Sequence, residues 1–530
     1  MNLARLQAAL NAVCAGLLAL FLLVVCASFI NSDSAATVLL AKHLLATRSL
    51  VSREWVYVSD SLLLDGGLAA DIVGVLVWGA SVKAFVFTAS MGAAFALASC
   101  YSLSRTLGAS RIHAFAAGLM VLLGPSFIYL DLVIGLGISV QLGLVMLFVS
   151  TFLRYVFRDG RHLALAVALA IPLLMTVSSP KKALVYAALP ILCACAPLLL
   201  AQRRRDDQSY SIRRLQIVSA GLLIVLIAGY RLHAWVLQGL PMNQDYAKLD
   251  VALDASRVLE NLQIVWSLIL KFSGAGNSAF PFAGPLLVPL VLVLLAIAPL
   301  AQGPLREFFS SRQGVAYVFA MAGMGGIAAY LLTYQTIKLH YGIYYLLIPL
   351  APLVAIAAAI ASKPVGGVVR SSTRIAMLAM LVLGAANVAS LLHRFPKHYT
   401  GIGKNQQTTH AGQVAATRWL QKHQLLHGYA GYWDANSITL LSNGSIQVTP
   451  VSTPTKGRKL RRLKWLVEED RVNFVPGHEK WFIAIPSRRR AVILSDACEP
   501  ADSEVTVGGY RIYVFERSVP ACIPPLVRLQ

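Results

Sequence analysis

The sequence predicts an all-α polytopic membrane bundle of about 11 transmembrane helices, followed by an exported C-terminal domain of α/β or α+β class. Three observations carry that class. Of 530 residues, 57% are hydrophobic and 13% charged, against about 25% charged in a soluble globular chain. The mean hydropathy is +0.66. Apolar stretches of about 17 to 25 residues, the length that crosses a bilayer's hydrocarbon core, recur up to residue 393 and then stop. A cytosolic enzyme and a disordered regulator are both excluded.

Taken in order, the apolar stretches fall at roughly 10–30, 83–104, 112–130, 136–153, 163–178, 183–201, 215–233, 284–301, 315–333, 342–362 and 375–393. The first exceeds the 7 to 15 apolar residues of a signal-peptide core and lacks a clean small-residue cleavage pattern, so it reads as a retained span. With Arg5 inside, the inside loops carry Arg105, Arg154, Arg203, Arg312 and Arg374 among others, for a net +12. The outside loops before residue 394 sum to +1. That asymmetry is the positive-inside signal. It accounts for part of the overall charge of +22, and nucleic acid is not expected as a partner. The expected orientation has the N-terminus inside and the C-terminal domain exported.

The membrane domain spans 1–393 and has two long outside loops, 31–82 and 234–283. Both hold amphipathic rather than spanning stretches. In the first, Ala35, Val38, Leu39, Leu45 and Ala46 recur at helical spacing beside Thr37, Lys42, His43 and Arg48, which predicts a short helix lying along the membrane interface. Residues 394–530 gain charge, Trp, Pro and Gly, and their length suits one soluble domain. There, Thr408–His427 reads as an amphipathic helix. Ile438–Leu441, Ile446–Pro450, Trp481–Ile485, Ala491–Leu494 and Tyr510–Phe515 read as strands. Asn443-Gly444-Ser445 fits a glycosylation sequon and, more simply, a turn between two strands. Cys498 and Cys522 flank a hairpin-like region from Val505 to Phe515, which predicts a disulfide in an oxidising compartment. No Walker motif, zinc-ligand spacing, G-x-S-x-G or dinucleotide fingerprint occurs.

Ionisable residues at the membrane edge are costly and therefore candidate functional groups. Asp33, in Asn31-Ser32-Asp33-Ser34, opens the first outside loop ahead of the predicted helix. A carboxylate at a helix N-terminus is stabilised by the free N–H groups, and a fixed carboxylate can take a proton from an attacking hydroxyl. The same residue also fits a plain N-cap. The layout of one span, an acidic residue opening a long loop with a helix, many further spans and an exported tail resembles the GT-C superfamily of membrane glycosyltransferases. The run N-S-D-S-A-A-T-V-L-L-A-K-H-L-L is similar to that family's acidic residue followed by A-x-x-x-x-A-x-x-L. The segment G-Y-A-G-Y-W-D-A-N-S-I-T-L-L-S-N-G resembles exported tails of bacterial members.

This resemblance implies a sugar moved from a polyprenyl-phosphate donor to an exported lipid, glycan or protein acceptor, with membrane lipids as further partners and Asp33 as the base or acceptor-orienting group. A lipid phosphate calls for cations at the outer mouth of the bundle. Lys181 and Lys182 suit that need, as do Lys42, Arg48 and Arg53, although Lys181 and Lys182 also fit snorkelling toward head groups. Where the family carries Arg-Tyr entering a late span, this sequence has Tyr344-Tyr345, so Lys338 or His340 supplies the charge beside Tyr345. Asp60 is a candidate acceptor contact. Asp131 stands where some relatives place a metal-binding carboxylate, and Asp33 and Asp131 would share a divalent cation, Mg or Mn, if their loops meet. The alternatives are a transporter or flippase of a lipid-linked or small polar substrate, and a polysaccharide polymerase or ligase. Transporters place polar residues at mid-membrane depth; here the ionisable residues crowd the outer ends.

Overall fold

The computed structural model describes residues 30, 32–57, 67–124, 138–157, 162–202, 211–241, 255–273, 282–302, 304–333, 347–363, 367–394, 410–452, 460–464, 466–473, 480–487 and 500–516. The chain begins there with α1 (Ser32–Thr47), β1 (Trp55–Val56) and α2 (Gly67–Trp78). The bundle continues through α3 (Val82–Thr106), α4 (Arg111–Leu123), α5 (Ile138–Phe157), α6 (His162–Ser178) and α7 (Pro180–Ala183). A π-helical turn, Leu184–Ala188, leads into α8 (Leu189–Gln202). Then come α9 (Ile212–Leu237), α10 (Ala255–Phe272), α11 (Ala283–Ile297), α12 (Leu305–Phe309), α13 (Arg312–Thr333), α14 (Leu347–Ala361) and α15 (Val368–Arg394).

Among the described residues, five helical stretches are long and apolar enough to cross a membrane: α3, α5, Pro180–Leu198, α9 and Val368–Ser390. The protein is a multi-pass membrane protein. Each predicted apolar run from 83–104 onward falls on a helix, whereas the first lies outside the described residues apart from Ile30. Hydroxyl caps start the helices sharply: Ser81 accepts from Ala84 N, Ser110 from His113 N and Ser211 from Arg214 N. Helix α5 is the bundle's centre, packed by α3, α6 and α14, with Phe148 against both Phe319 of α13 and Phe152. Peripheral α9 instead exposes Leu223, Ile224, Ile227 and Trp235, as a lipid-facing helix should.

Two cations of the predicted inside loops cap helix C-termini: Arg312 donates to Phe157 O at 3.4 Å and Arg374 to Ala361 O at 2.8 Å. Arg105 donates instead to Ala109 O, in the loop between α3 and α4, at 2.5 Å. Arg154 donates to Thr106 Oγ1 and Ser102 Oγ. Carbonyls at a helix end lack intrahelical donors and carry the negative pole of the macrodipole, so guanidinium groups are held there.

After α15 the described chain resumes at α16 (His410–Lys422), β2 (His427–Gly431), α17 (Tyr432–Leu441), β3 (Gln447–Ser452), β4 (Arg461–Arg462), β5 (Val467–Glu468), α18 (Glu469–Asn473), β6 (Trp481–Pro486), β7 (Ser503–Val507) and β8 (Tyr510–Phe515). Six strands form one sheet in the order β4-β3-β2-β6-β8-β7. Strand β2 runs parallel to both β3 and β6, and the outer pairs are antiparallel. One face packs Ala430, Val448, Phe482 and Ile512 under α16 and α17; the other packs Tyr429, Trp481, Ile483 and Phe515. Burial on both faces explains why β6 reads as a continuous apolar run.

The structure corrects four sequence expectations. Ile438–Leu441 is the end of α17, not a strand. Short runs of aliphatic and β-branched residues fit either period, and here α17 is the crossover between parallel β2 and β3. The Asn443-Gly444 turn therefore follows a helix rather than joining two strands. Its N–H groups return to Leu440 O and Thr439 O, and Gly444 takes a left-handed φ of 81°, the usual way of ending a helix. Helix α1 is enclosed by protein rather than carrying an open polar face over its first half. Ala35, Ala36 and Ala41 are fully buried, and such small side chains let α2, α3 and α17 close around it. Lys181 and Lys182 are not in a loop: Pro180 starts α7 immediately after Ser179, consistent with proline's fixed φ at a first helical position.

Candidate functional site

Asp33 is the second residue of α1, within its first turn. Two contacts set its surroundings. Tyr432, the first residue of α17, donates its hydroxyl to Asp33 Oδ1. One helical turn later Asn436 donates to Ser32 O at 3.4 Å and to Leu466 O at 3.2 Å. The tight β2-α17-β3 crossover thus places Tyr432 at the carboxyl end of a parallel strand, where open α/β sheets present their ligand-binding residues. Asp434 fixes this turn by accepting from Tyr510 Oη at 2.5 Å and from Gln413 Nε2 at 3.2 Å.

Burial raises the Asp33 carboxyl to about pH 6, and the Tyr432 hydrogen bond works against that rise. Desolvation disfavours the charged form and a donor favours it. A carboxyl poised there is ionised at neutral pH yet basic enough to accept a proton, the combination general-base chemistry uses.

The seam continues along α1. His43 lies 3.4 Å from Glu468 and 3.6 Å from Glu54, shares a hydrogen bond with Ser52 Oγ at 2.7 Å and packs near the Trp55 ring. Hydrogen bonding to Glu468 raises the His43 pKa. Burial works to raise Glu468, but His43, Arg471 and Lys42 together hold it below the usual carboxylate range. Strands β1 and β5 pair antiparallel beside this cluster, Trp55 opposite Glu468, and Glu469 N donates to Glu54 O at 2.6 Å.

Of the expected substrate cations, Lys42 lies over the turn that ends α17, its Nζ 2.9 Å from where a Cβ on Gly444 would stand. Arg53 lies against Gly239, just past α9, next to the bond from Tyr57 N to Pro241 O. Lys181 is exposed and Lys182 half-buried in α7, which packs on α6 and α9. The structure therefore brings Asp33 and Lys42 together along the α1–α17 seam, and Arg53 onto the adjoining loop. Lys181 and Lys182 sit on a separate turn. Asp60, Asp131, Lys338, His340, Tyr345, Cys498 and Cys522 lie outside the described residues, as does Ala491–Leu494. Among the described residues no group of three or more His, Cys, Asp or Glu could hold a metal ion.

The sequence gives Tyr432 and Asn436 no role beyond membership of the G-Y-A-G-Y-W-D-A-N segment. Their one signal was position, directly after the glycines of G-Y-A-G-Y-W-D-A-N.

No protein-family model matches the chain, and no curated protein matches it. Solved structures do. ArnT from Cupriavidus metallidurans, bound to undecaprenyl phosphate, is similar over 96% of this chain and 98% of its own, at a TM-score of 0.57 and 10% identity. Its apo state gives a TM-score of 0.56 over the same shares, at 11% identity. The archaeal oligosaccharyltransferase AglB from Archaeoglobus fulgidus, in complex with an inhibitory peptide and a dolichol-phosphate, overlaps 80% of this chain and 63% of its own at 11% identity. Its TM-score is 0.39, too slight a likeness to argue from. The likeness to ArnT over nearly the full length of both chains shows a shared fold.

Proposed function

We propose that the chain is a membrane glycosyltransferase that moves a sugar from a polyprenyl-phosphate donor to a hydroxyl-bearing exported acceptor, at the outer face of a bacterial inner membrane. The observation that carries this reading is the position of Asp33. It is a half-buried residue with a desolvated carboxyl of pKa about 6 at the start of α1, in a chain that shares its fold with an undecaprenyl phosphate-bound protein.

In the proposed step, the acceptor hydroxyl gives its proton to the Asp33 carboxylate while its oxygen bonds to the anomeric carbon of the sugar. The bond from that carbon to the phosphate oxygen breaks, and the polyprenyl phosphate leaves with the electron pair. The base must be ionised and fixed before attack, and Tyr432 serves both ends by donating to one carboxylate oxygen and leaving the other for the acceptor. Charge developing on the leaving phosphate requires cations, for which Lys181, Lys182 and Lys338 are the proposed sources. Residues 1–393 would form the membrane domain and 394–530 the periplasmic domain that supplies α17.

The test is mass spectrometry of lipid-linked and surface glycans from cells carrying the wild-type chain, a deletion, or Asp33→Asn at matched membrane abundance. Loss of the same sugar in the deletion and in Asp33→Asn is the expected result. Normal glycans in Asp33→Asn, with a defect in the deletion alone, would reduce Asp33 to a helix-terminal residue and favour transport.

A further inference from the structure

Asp71 lies in α2 and is 1% exposed. Among the described residues, neither carboxylate oxygen meets a partner at full hydrogen-bond geometry. The donors that reach it most nearly are the hydroxyls of Thr88 in α3 and Thr37 in α1. Burying a carboxyl so thinly satisfied is costly. The Thr37 hydroxyl already donates to Ser34 O at 3.0 Å, and Thr88 Oγ1 is itself buried and meets no partner at full hydrogen-bond geometry. One turn before Asp71, Gly67 leaves open the place where a Cβ would touch both Thr88 Cγ2, at 3.9 Å, and Asp71 Oδ2, at 4.0 Å.

This group of unused polar atoms adjoins the proposed base. From Ser32 to Ala41, every described residue of α1 is buried except Asp33 and Thr37. These two are four residues apart, so they share one face with Cβ atoms about 5–6 Å from each other. The only open stripe on this half of α1 thus runs from Asp33 to Thr37, and Asp71 stands beyond Thr37.

We propose that Asp71, with Thr37 and Thr88, forms the subsite that holds the hydroxyl groups of the donor's sugar ring, about one helical turn from Asp33. The inference rests on the glycosyltransfer reading above. A sugar hydroxyl is both donor and acceptor, and a neutral carboxyl is its match, since it too has one hydrogen to give and oxygens to accept with. Burial at this depth disfavours the charged form of a carboxyl. A neutral carboxyl also avoids repelling the phosphate that accompanies the sugar.

The experiment uses the full-length protein in lipid nanodiscs, as wild type, Asp71→Asn and Asp71→Leu. Thermal unfolding is followed alone, with undecaprenyl phosphate, and with polyprenyl-phosphate sugars extracted from cells lacking the chain. Without ligand, both variants should unfold at or above the wild-type temperature, because a thinly satisfied buried group has been removed. Undecaprenyl phosphate should shift all three proteins equally. The further shift from the sugar-bearing lipid should vanish in Asp71→Leu, and its midpoint concentration should rise roughly tenfold in Asp71→Asn. An undiminished further shift in Asp71→Leu overturns the subsite. So does a lowered unfolding temperature in both ligand-free variants, which would make Asp71 a packing residue. If the wild type gains nothing from the sugar over the plain lipid, the glycosyltransfer reading itself fails and the subsite with it.

Discussion

Tyr432 donates its hydroxyl to Asp33 across 399 residues of sequence. The proposed base on α1 is therefore held by a side chain from the C-terminal sheet region, and its basicity depends on a contact made far along the chain.

Tyr432→Phe removes that donor and lets burial act alone on Asp33. Because the hydrogen bond opposes the rise to about 6, the Asp33 pKa should climb further. Activity that needs ionised Asp33 is lost as pH falls through the pKa, so the acidic limb of the pH profile should move upward by about one to two units, matching about 1.5–3 kcal/mol for a hydrogen bond to a charged group. Transfer rates measured from pH 5 to 9 check this. An unmoved acidic limb with a uniformly lower rate would show that Tyr432 only packs.

His43 joins α1 to Glu54 and Glu468, with Asp470 also nearby and Lys42 acting on Glu468 from the next position. Its folded pKa is raised above 6.5, so the protonated form favours the folded arrangement. That contribution is complete below pH 6.5 and is lost as pH rises through the folded value. Hydrogen exchange at β1 and β5 should accelerate over that interval in the wild type. His43→Phe should exchange at one pH-independent opening equilibrium, once intrinsic rates are corrected. Persistence of the pH dependence in His43→Phe would place the switch elsewhere.

Asn436 is fully buried, donates to Ser32 O and Leu466 O, and accepts from Arg471 at 3.2 Å. Asn436→Ala strands these groups and should cost about 1–3 kcal/mol, read as a lower unfolding temperature in detergent. Transfer should fall as well, because Ser32 precedes the base. Unchanged stability would mean that water replaces the amide and that α17 docks without it.

Much of the bundle was legible because hydrophobic length and loop charge are local properties: each apolar run from residue 83 onward names a helix, and Arg105, Arg312 and Arg374 stand at helix ends. Asp33 was legible as the acidic residue opening α1. The interior position of α1 was not, since Ala35, Ala36 and Ala41 look alike whether they face lipid or a packed helix. Nor was α17 readable from Ile438–Leu441, where four residues cannot fix a period and the parallel pairing of β2 with β3 decides the matter. Asp71 carried no signal of its own, because its burial beside Thr37 and Thr88 is a property of three helices together.

The pairing of β1 with β5 has a further consequence in time. Ribosomes add roughly 5–20 residues per second, so Asp33 emerges about 20 to 80 s before Tyr432. During that interval β1 lacks its strand partner and α1 lacks the helix that packs on it. In a nascent or truncated chain Asp33 is therefore without its Tyr432 donor, and assembly of the proposed reactive centre waits until the C-terminal sheet region has been made.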